Sequence, residues 1–132
     1  MMEFIDMCMA LNIEPVVTLA YDLNNATDWA DLVEYCYGNA STTWGAIRIN
    51  VDNHPAPFKI HTFELGNEQE NPDFITQVAA MEARRAAVGA PPIFYMYPTN
   101  GGLSAAGAQA AIAAGLPIEM LGPACHAGGG GG

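Results

Sequence analysis

The sequence has 132 residues, of which 51% are apolar and 14% charged, so the composition indicates one globular domain and excludes an intrinsically disordered chain. The formal net charge is -10 with only four Lys and Arg residues, which argues against binding of a nucleic-acid phosphate backbone. No apolar run reaches the roughly 18 residues that a membrane-spanning helix needs, so we expect no membrane span.

The cysteines and histidines predict neither a disulfide framework nor a metal centre. Cys8, Cys36 and Cys125 are far apart and odd in number, and we expect buried free thiols. The three histidines lack the spacing of metal ligands, and no pattern requires a cofactor. The first ten residues lack the basic region of a signal peptide, so secretion is expected only if the full-length chain carries one. Nothing in the composition predicts an oligomeric state.

The first two predicted elements are a helix and a strand. Residues 1–11 have helical spacing, with Phe4, Cys8 and Leu11 on one apolar face, and Asn12 is the expected stop. Residues 16–21 are apolar, partly β-branched and uncharged. That pattern predicts a strand buried on both faces of a parallel sheet.

A second helix and a long connection follow. We predict a helix over residues 29–37 that is capped by Thr27 or Asp28 and ended by Gly38. Residues 39–58 contain many small polar residues, glycine and proline, and they predict an elaborated rim loop with a short extended piece at 44–49. A connection of that length in a compact domain is usually functional.

The remaining elements continue the alternation of strand and helix. Residues 60–65 predict a strand that runs into Gly66, Asn67 and Glu68. Asn71 and Pro72 then suit the N-cap and first position of a helix to Val88. Further predicted elements are a strand at 93–97, a helix at 105–114 capped by Ser104, and a strand at 118–121.

Alternation of this kind predicts right-handed crossovers and parallel strands, as in a (β/α)8 barrel or a doubly wound sheet. The nearest phosphate-binding candidate, residues 99–104, matches neither the G-x-G-x-x-G nor the P-loop pattern. Four strands cannot close a barrel. We therefore expect residues 1–132 to be a fragment of a single larger domain.

Glu68 is the strongest candidate for a catalytic residue. Active sites of parallel α/β folds lie at the carboxyl ends of the strands, where Asn67, Glu68 and Tyr97 are predicted. Partial burial of a carboxyl group there raises its pKa, as a general acid requires. Asn67 could hold a substrate hydroxyl beside it. The alternative is that Glu68 only accepts hydrogen bonds from amides of the next helical turn.

Residues 63–68, Phe-Glu-Leu-Gly-Asn-Glu, resemble the W-E-[LIV]-G-N-E segment of retaining clan A glycoside hydrolases, and the α-L-arabinofuranosidase type in particular. Residues 4–17 resemble the helix and third strand of that family's (β/α)8 barrel. Residues 30–38, 43–46 and 53–55 resemble the insert before its fourth strand. The resemblance covers about residues 3–97, with Phe63 in place of the usual Trp.

The resemblance implies an α/β fold that is a partial (β/α)8 TIM barrel, about strands 3 to 6 with their helices. It implies that Glu68 is the catalytic acid/base and that Asn67 bonds the sugar 2-hydroxyl. His126 would match a sugar-binding His, although its context, Cys-His-Ala-Gly, departs from the family pattern. Apart from the resemblance, Trp44 and Tyr97 are interpreted mainly as core or rim packing, with stacking of either on a sugar face as the alternative. The family nucleophile ends the seventh strand, which this sequence does not reach.

Three hypotheses follow. The first is a fragment of a retaining glycoside hydrolase that acts on carbohydrate, namely cell-wall glycans with arabinose, and that is inactive alone without its nucleophile. The second is a non-catalytic carbohydrate-binding or scaffold protein derived from a glycosidase barrel. The third is a doubly wound phosphate binder that uses residues 100–104.

Overall fold

The elements alternate between helix and strand along most of the chain. The structure is a computed structural model that describes residues 2–20, 25–67, 71–97 and 104–118. Its elements in chain order are α1 (Met2–Ala10), β1 (Val16–Leu19), α2 (Ala26–Tyr37), α3 (Thr43–Asn50), β2 (Thr62–Leu65), α4 (Phe74–Val88), β3 (Phe94–Met96) and α5 (Ala105–Ala113). The predicted strand at 118–121 lies mostly outside the described residues.

The three strands form one parallel sheet in the order β1-β2-β3. Val17 pairs with Phe63, and Phe63 pairs with Tyr95 on the other side. The α/β class and the parallel strands expected from the alternation are therefore confirmed. The register aligns the carboxyl ends of neighbouring strands at one edge of the sheet.

One face of the sheet is covered by helices, and the other is bare in the described part of the chain. Leu19, Phe63 and Tyr95 are buried on the covered face, whereas Val16 is 48% exposed on the other. The prediction that the first strand is buried on both faces is wrong for Val16 and Thr18. The reason is that a strand's side chains alternate between faces, and the described helices pack on one of them only.

The core lies between the covered face of the sheet and the helices. Its largest fully buried side chains include Phe58, Phe63, Phe74, Met81 and Tyr95. Burial of the Cys8 and Cys36 thiols is confirmed, since both are free and buried, while Cys125 lies outside the described residues. No helix in the described ranges is long and apolar enough to cross a bilayer.

Helix α1 buries a different face from the predicted one. Ile5 and Cys8 are buried, but Phe4 is 50% and Leu11 61% exposed. The i, i+4, i+7 pattern of Phe4, Cys8 and Leu11 is thus only partly right, because several faces of this helix are apolar and periodicity cannot choose between them. Asn12, with a φ of 54°, ends the helix as expected.

Two helix starts differ from prediction and one agrees. Asn25, and not Thr27 or Asp28, caps α2, and Asp28 completes a capping box with it. Helix α4 begins at Phe74, two residues after Pro72, although the Asn71 side chain still accepts a hydrogen bond from the Asp73 N–H at 3.0 Å. Ser104 caps α5 as predicted.

Residues 44–49 are helical, so the predicted extended piece is wrong. Thr42 caps α3 through its hydroxyl, which accepts from the Gly45 N–H. A Cβ on Gly45 would lie 2.5 Å from the Gly38 carbonyl carbon, so the missing side chain lets α3 approach the end of α2. This long-range packing explains why local β propensity did not decide the conformation.

Candidate active site

Strand β2 ends at Leu65, and the chain then turns at Gly66 to present Asn67. Gly66 has a φ of 118°, which L side chains rarely adopt, so glycine is needed at the turn. Asn67 is exposed just beyond the carboxyl end of β2, and Glu68 lies outside the described residues. Asn67 therefore stands at the edge of a parallel sheet where α/β enzymes carry their active sites.

Asn71 ties the returning chain to the end of β2. Its side chain is 2% exposed, and its Nδ2 donates to the Leu65 carbonyl oxygen and to Gln77 Oε1, both at 2.9 Å. The same side chain begins the turn into α4 by accepting from the Asp73 N–H. One buried amide thus joins the end of β2 to the residues that lead into α4.

Gln77 and Tyr97 form further hydrogen bonds with Asn71. Gln77 is 1% exposed on α4 and accepts from Asn71. The Tyr97 hydroxyl accepts from the Asn71 backbone N–H at 3.4 Å, and its ring packs edge-on against Phe74 with centroids 5.0 Å apart. Tyr97 is 6% exposed, so its position suits support of Asn71, and its predicted contact with a sugar stays a prediction.

The bare face of the sheet carries a carboxylate just below the strand ends. Glu64 Oε2 accepts a hydrogen bond from Thr18 Oγ1 at 2.8 Å, across a directly paired position of β1 and β2. Glu64 is two residues before Gly66 in the sequence. Its side chain shares the bare face of the sheet with that of Thr18, because directly paired residues of neighbouring strands point to the same face. The bond holds Glu64 between the strands.

Trp44 lies elsewhere in the helix layer. It is on α3, its backbone N–H donates to Glu34 Oε1 at 3.0 Å, and its ring is 38% exposed. None of its described partners belongs to β2 or to the turn after it. The structure does not bring Trp44 to Asn67, and His126 lies outside the described residues.

The other two histidines are bound to acidic residues away from Asn67. His54 Nε2 contacts Asp6 Oδ1 at 2.9 Å, and His61 Nδ1 contacts Glu14 Oε2 at 3.2 Å. Both Glu14 and His61 precede their strands, so they lie at the amino end of the sheet. Within residues 2–20, 25–67, 71–97 and 104–118, no three His, Cys, Asp or Glu side chains are grouped to hold a metal ion.

Sequence reasoning missed the roles of Asn71 and Gln77. It assigned Asn71 only the cap of a helix, and it gave Gln77 no role. A polar residue at a position flanked by Phe74 and Val78, on the face that packs inward, was the available signal for Gln77. The partner of a buried amide cannot be read from local spacing, because it depends on which elements meet.

Comparison with known proteins identifies the family to which this chain belongs. A family model described as the alpha-L-arabinofuranosidase 1 domain matches residues 1–89. That match spans 89 of the 132 residues and includes β2, the turn at Gly66 and Asn71. The chain belongs to the alpha-L-arabinofuranosidase 1 domain family. The predicted resemblance to the arabinofuranosidase type is thereby confirmed at the level of the family, while the clan A assignment and the motif at residues 63–68 stay predictions.

One relative has a partial match to this arabinofuranosidase domain. The extracellular exo-alpha-L-arabinofuranosidase of Streptomyces chartreusis is 41% identical over 46 residues. The aligned segment is 35% of this chain and 6% of the relative, so the chain matches a small part of that relative's length. Family membership and this relative together support a function related to glycoside hydrolysis.

Proposed function

We propose that this chain is the part of a retaining arabinofuranosidase that carries the acid/base, Glu68. The observation that carries the proposal is the position of Asn67, exposed at the carboxyl end of β2 in a chain of the arabinofuranosidase family. Glu68 is the next residue. General acid catalysis needs the proton held within hydrogen-bond reach of the leaving oxygen, and the carboxyl end of a strand suits that task.

The mechanism requires two carboxyl groups about 5–5.5 Å apart. Glu68 gives its proton to the glycosidic oxygen while the second carboxylate attacks the anomeric carbon, and a glycosyl-enzyme forms as the leaving alcohol departs. Glu68 then removes a proton from water, whose oxygen displaces the enzyme carboxylate. In this proposal the nucleophile is not assigned to any of these 132 residues, and Asn67 bonds the sugar 2-hydroxyl.

The proposed setting is a (β/α)8 barrel in which β1, β2 and β3 are strands 3, 4 and 5. Helices on one face only, parallel strands in sequence order and a bare second face support it. In such a barrel, the bare face with Thr18 and Glu64 would be the interior. The substrate would be an arabinose-containing cell-wall glycan. The Streptomyces relative is described as extracellular, and secretion of this protein would likewise bring it to such a glycan.

Replacement of Glu68 by Gln tests the acid/base role. We expect kcat on an aryl α-L-arabinofuranoside with a poor phenol leaving group to fall about 10²- to 10⁴-fold. A dinitrophenyl leaving group needs no protonation, so its glycosylation step should be nearly unaffected. Added azide should restore turnover by attacking the glycosyl-enzyme without base assistance.

Glu70→Gln is the matched control, since it changes a carboxylate two residues further along the sequence. It should retain the activity of the parent on both substrates. Unchanged turnover of the poor-leaving-group substrate by Glu68→Gln would refute the assignment. A parent protein that binds arabinoxylan but hydrolyses no arabinofuranoside would favour the non-catalytic, carbohydrate-binding alternative.

A further inference from the structure

A pocket lies on the surface of the helix layer, where α3 packs against α2. Its volume is 310 Å³, near the lower end of the range of about 300–1,000 Å³ for small-molecule sites. The six lining residues are three aromatic side chains, two carboxylates and one leucine, namely Trp29, Tyr35, Trp44, Asp28, Asp31 and Leu32. None of the predicted catalytic residues takes part in it.

The aromatic side chains give the pocket both exposed and buried ring surface. Trp44 is 38% exposed, and Trp29 is 8% exposed. The Trp29 Nε1–H has no hydrogen-bond acceptor, and it is the one buried side-chain N or O atom so found among the described residues. Because that nitrogen is itself buried, the contact that Trp29 offers to a ligand is the accessible part of its ring, beside the more exposed Trp44.

The two aspartates supply acceptors that are already held in place. Asp28 Oδ2 accepts from the Asn25 backbone N–H at 3.0 Å, and Asp31 Oδ1 pairs with Arg84 Nη1 at 2.9 Å. Each carboxylate has about four lone-pair sites, so these bonds leave capacity for the hydroxyl groups of a ligand. Two carboxylates against one guanidinium disfavour an anionic ligand.

The wall that carries Trp44 is fixed by hydrogen bonds. Glu34, 9% exposed, accepts from the Trp44 backbone N–H at 3.0 Å through Oε1, and its Oε2 pairs with Arg84. The close approach of Gly45 to Gly38 sets the separation of α3 from α2. The backbone that carries Trp44 is therefore held in place before any ligand arrives, which lowers the entropic cost of binding.

We propose that this pocket is a second carbohydrate-binding site, separate from the active site, that holds one neutral sugar unit of a glycan chain. Aromatic faces pack against the C–H faces of a sugar, carboxylates accept from its hydroxyls, and the volume suits one ring. The inference rests on the proposed function for its choice of a glycan. Its role is to retain the polymer near the active site, which multiplies the local substrate concentration.

Native-gel retardation by soluble arabinoxylan tests the proposal. The host is the full protein with Glu68→Gln, so that the polymer is not cleaved during electrophoresis. Trp44→Ala should weaken binding about tenfold, the loss expected on removing one large aromatic contact. Trp44→Phe should retain most of the affinity. Phe4→Ala, which removes a 50% exposed ring on α1, is the matched control and should bind like the host.

Each outcome distinguishes the pocket from the active site. Equal retardation of Trp44→Ala and the host, with unchanged circular dichroism, would overturn the proposal. Release of the polymer by tetramethylammonium, and not by arabinose oligosaccharides, would overturn it too by revealing a cation site. Polymer binding that depends on Trp44 in a protein without hydrolytic activity would support the pocket while refuting the proposed function.

Discussion

Asn71 links the end of β2 to the start of α4 through one buried side chain. Its amide donates to Leu65 and Gln77 and accepts from Asp73, so both of its polar atoms are satisfied within the protein. A buried amide with this many partners is costly to remove, because the buried partners at Leu65 and Gln77 each lose a hydrogen bond. The junction between the end of β2 and α4 therefore depends on the Asn71 side chain.

Replacement of Asn71 by Ala should lower both stability and activity. We expect the free energy of unfolding in urea to fall by about 1–3 kcal/mol, since buried polar partners are left unpaired. If Asn71 positions Glu68, the proposed acid/base, the value of kcat on an aryl arabinofuranoside should fall more than KM rises, because proton transfer depends on the position of the acid. Asn50→Ala, at an exposed asparagine, is the control. Loss of stability with unchanged kcat would limit Asn71 to a structural role.

At the scale of elements, residues 39–58 are held by the side chain of Arg48. This side chain is 1% exposed, and its guanidinium donates hydrogen bonds to backbone carbonyl oxygens that precede and follow α3 in the chain. The acceptors are the carbonyl oxygens of Tyr35, Gly38, His54, Pro55 and Ala56. Burial lowers the pKa of this group, and hydrogen bonds to carbonyl oxygens compensate for the lost water. The connection is therefore a packed unit and not an open rim loop.

Replacement of Arg48 by Lys should destabilise this unit although the charge is kept. A lysine ammonium is a compact group without the planar fork, so it cannot reach carbonyls on both sides of α3. We expect the free energy of unfolding to fall by about 3 kcal/mol. Amide hydrogen exchange should speed up in the variant relative to the parent, and more so in residues 51–58 than in α4. Lys59→Met, at an exposed cation, should change stability by less than about 0.5 kcal/mol. Equal protection of residues 51–58 in parent and variant would contradict this role of Arg48.

Over the whole molecule, one core joins the helices to the covered face of the sheet. Cys36 lies in that core, fully buried, and burial raises the pKa of its thiol from 9.0 to about 12. Burial, and then the hydrogen bond to Asp52, likewise raises the pKa of Tyr35 to about 12. Groups that stay neutral in the folded state resist ionisation until the core opens.

Stability should therefore decline above pH 9. A folded pKa above the unfolded value means that the thiol's contribution is fully present below pH 9 and is lost as the pH rises toward 12. The urea midpoint should fall over that window, and less steeply in Cys36→Ala, because that variant lacks the shifted thiol. An identical slope in both proteins would show that Cys36 is not a source of the dependence.

The same thiol reports opening of the core at neutral pH. Ellman's reagent should label Cys36 much more slowly than it does in guanidinium-unfolded protein, because the thiolate is the reactive form and the side chain is buried. Mass spectrometry would assign the labelled cysteine. Rapid labelling of Cys36 in the native protein would contradict the buried core.

The sequence by itself determined the alternation of strands and helices other than α3, the parallel strands and the place of Asn67 after β2, because apolar runs, glycine stops and caps such as Ser104 are local signals. Tertiary structure alone decided that residues 44–49 are helical, that Arg48 holds the long connection together and that Trp44 and Trp29 line the same pocket. Tertiary structure also decided that the Tyr97 hydroxyl accepts a hydrogen bond from the Asn71 backbone N–H. These outcomes depend on which surfaces meet, and the hydrogen-bond partners of a buried group lie far from it in the chain.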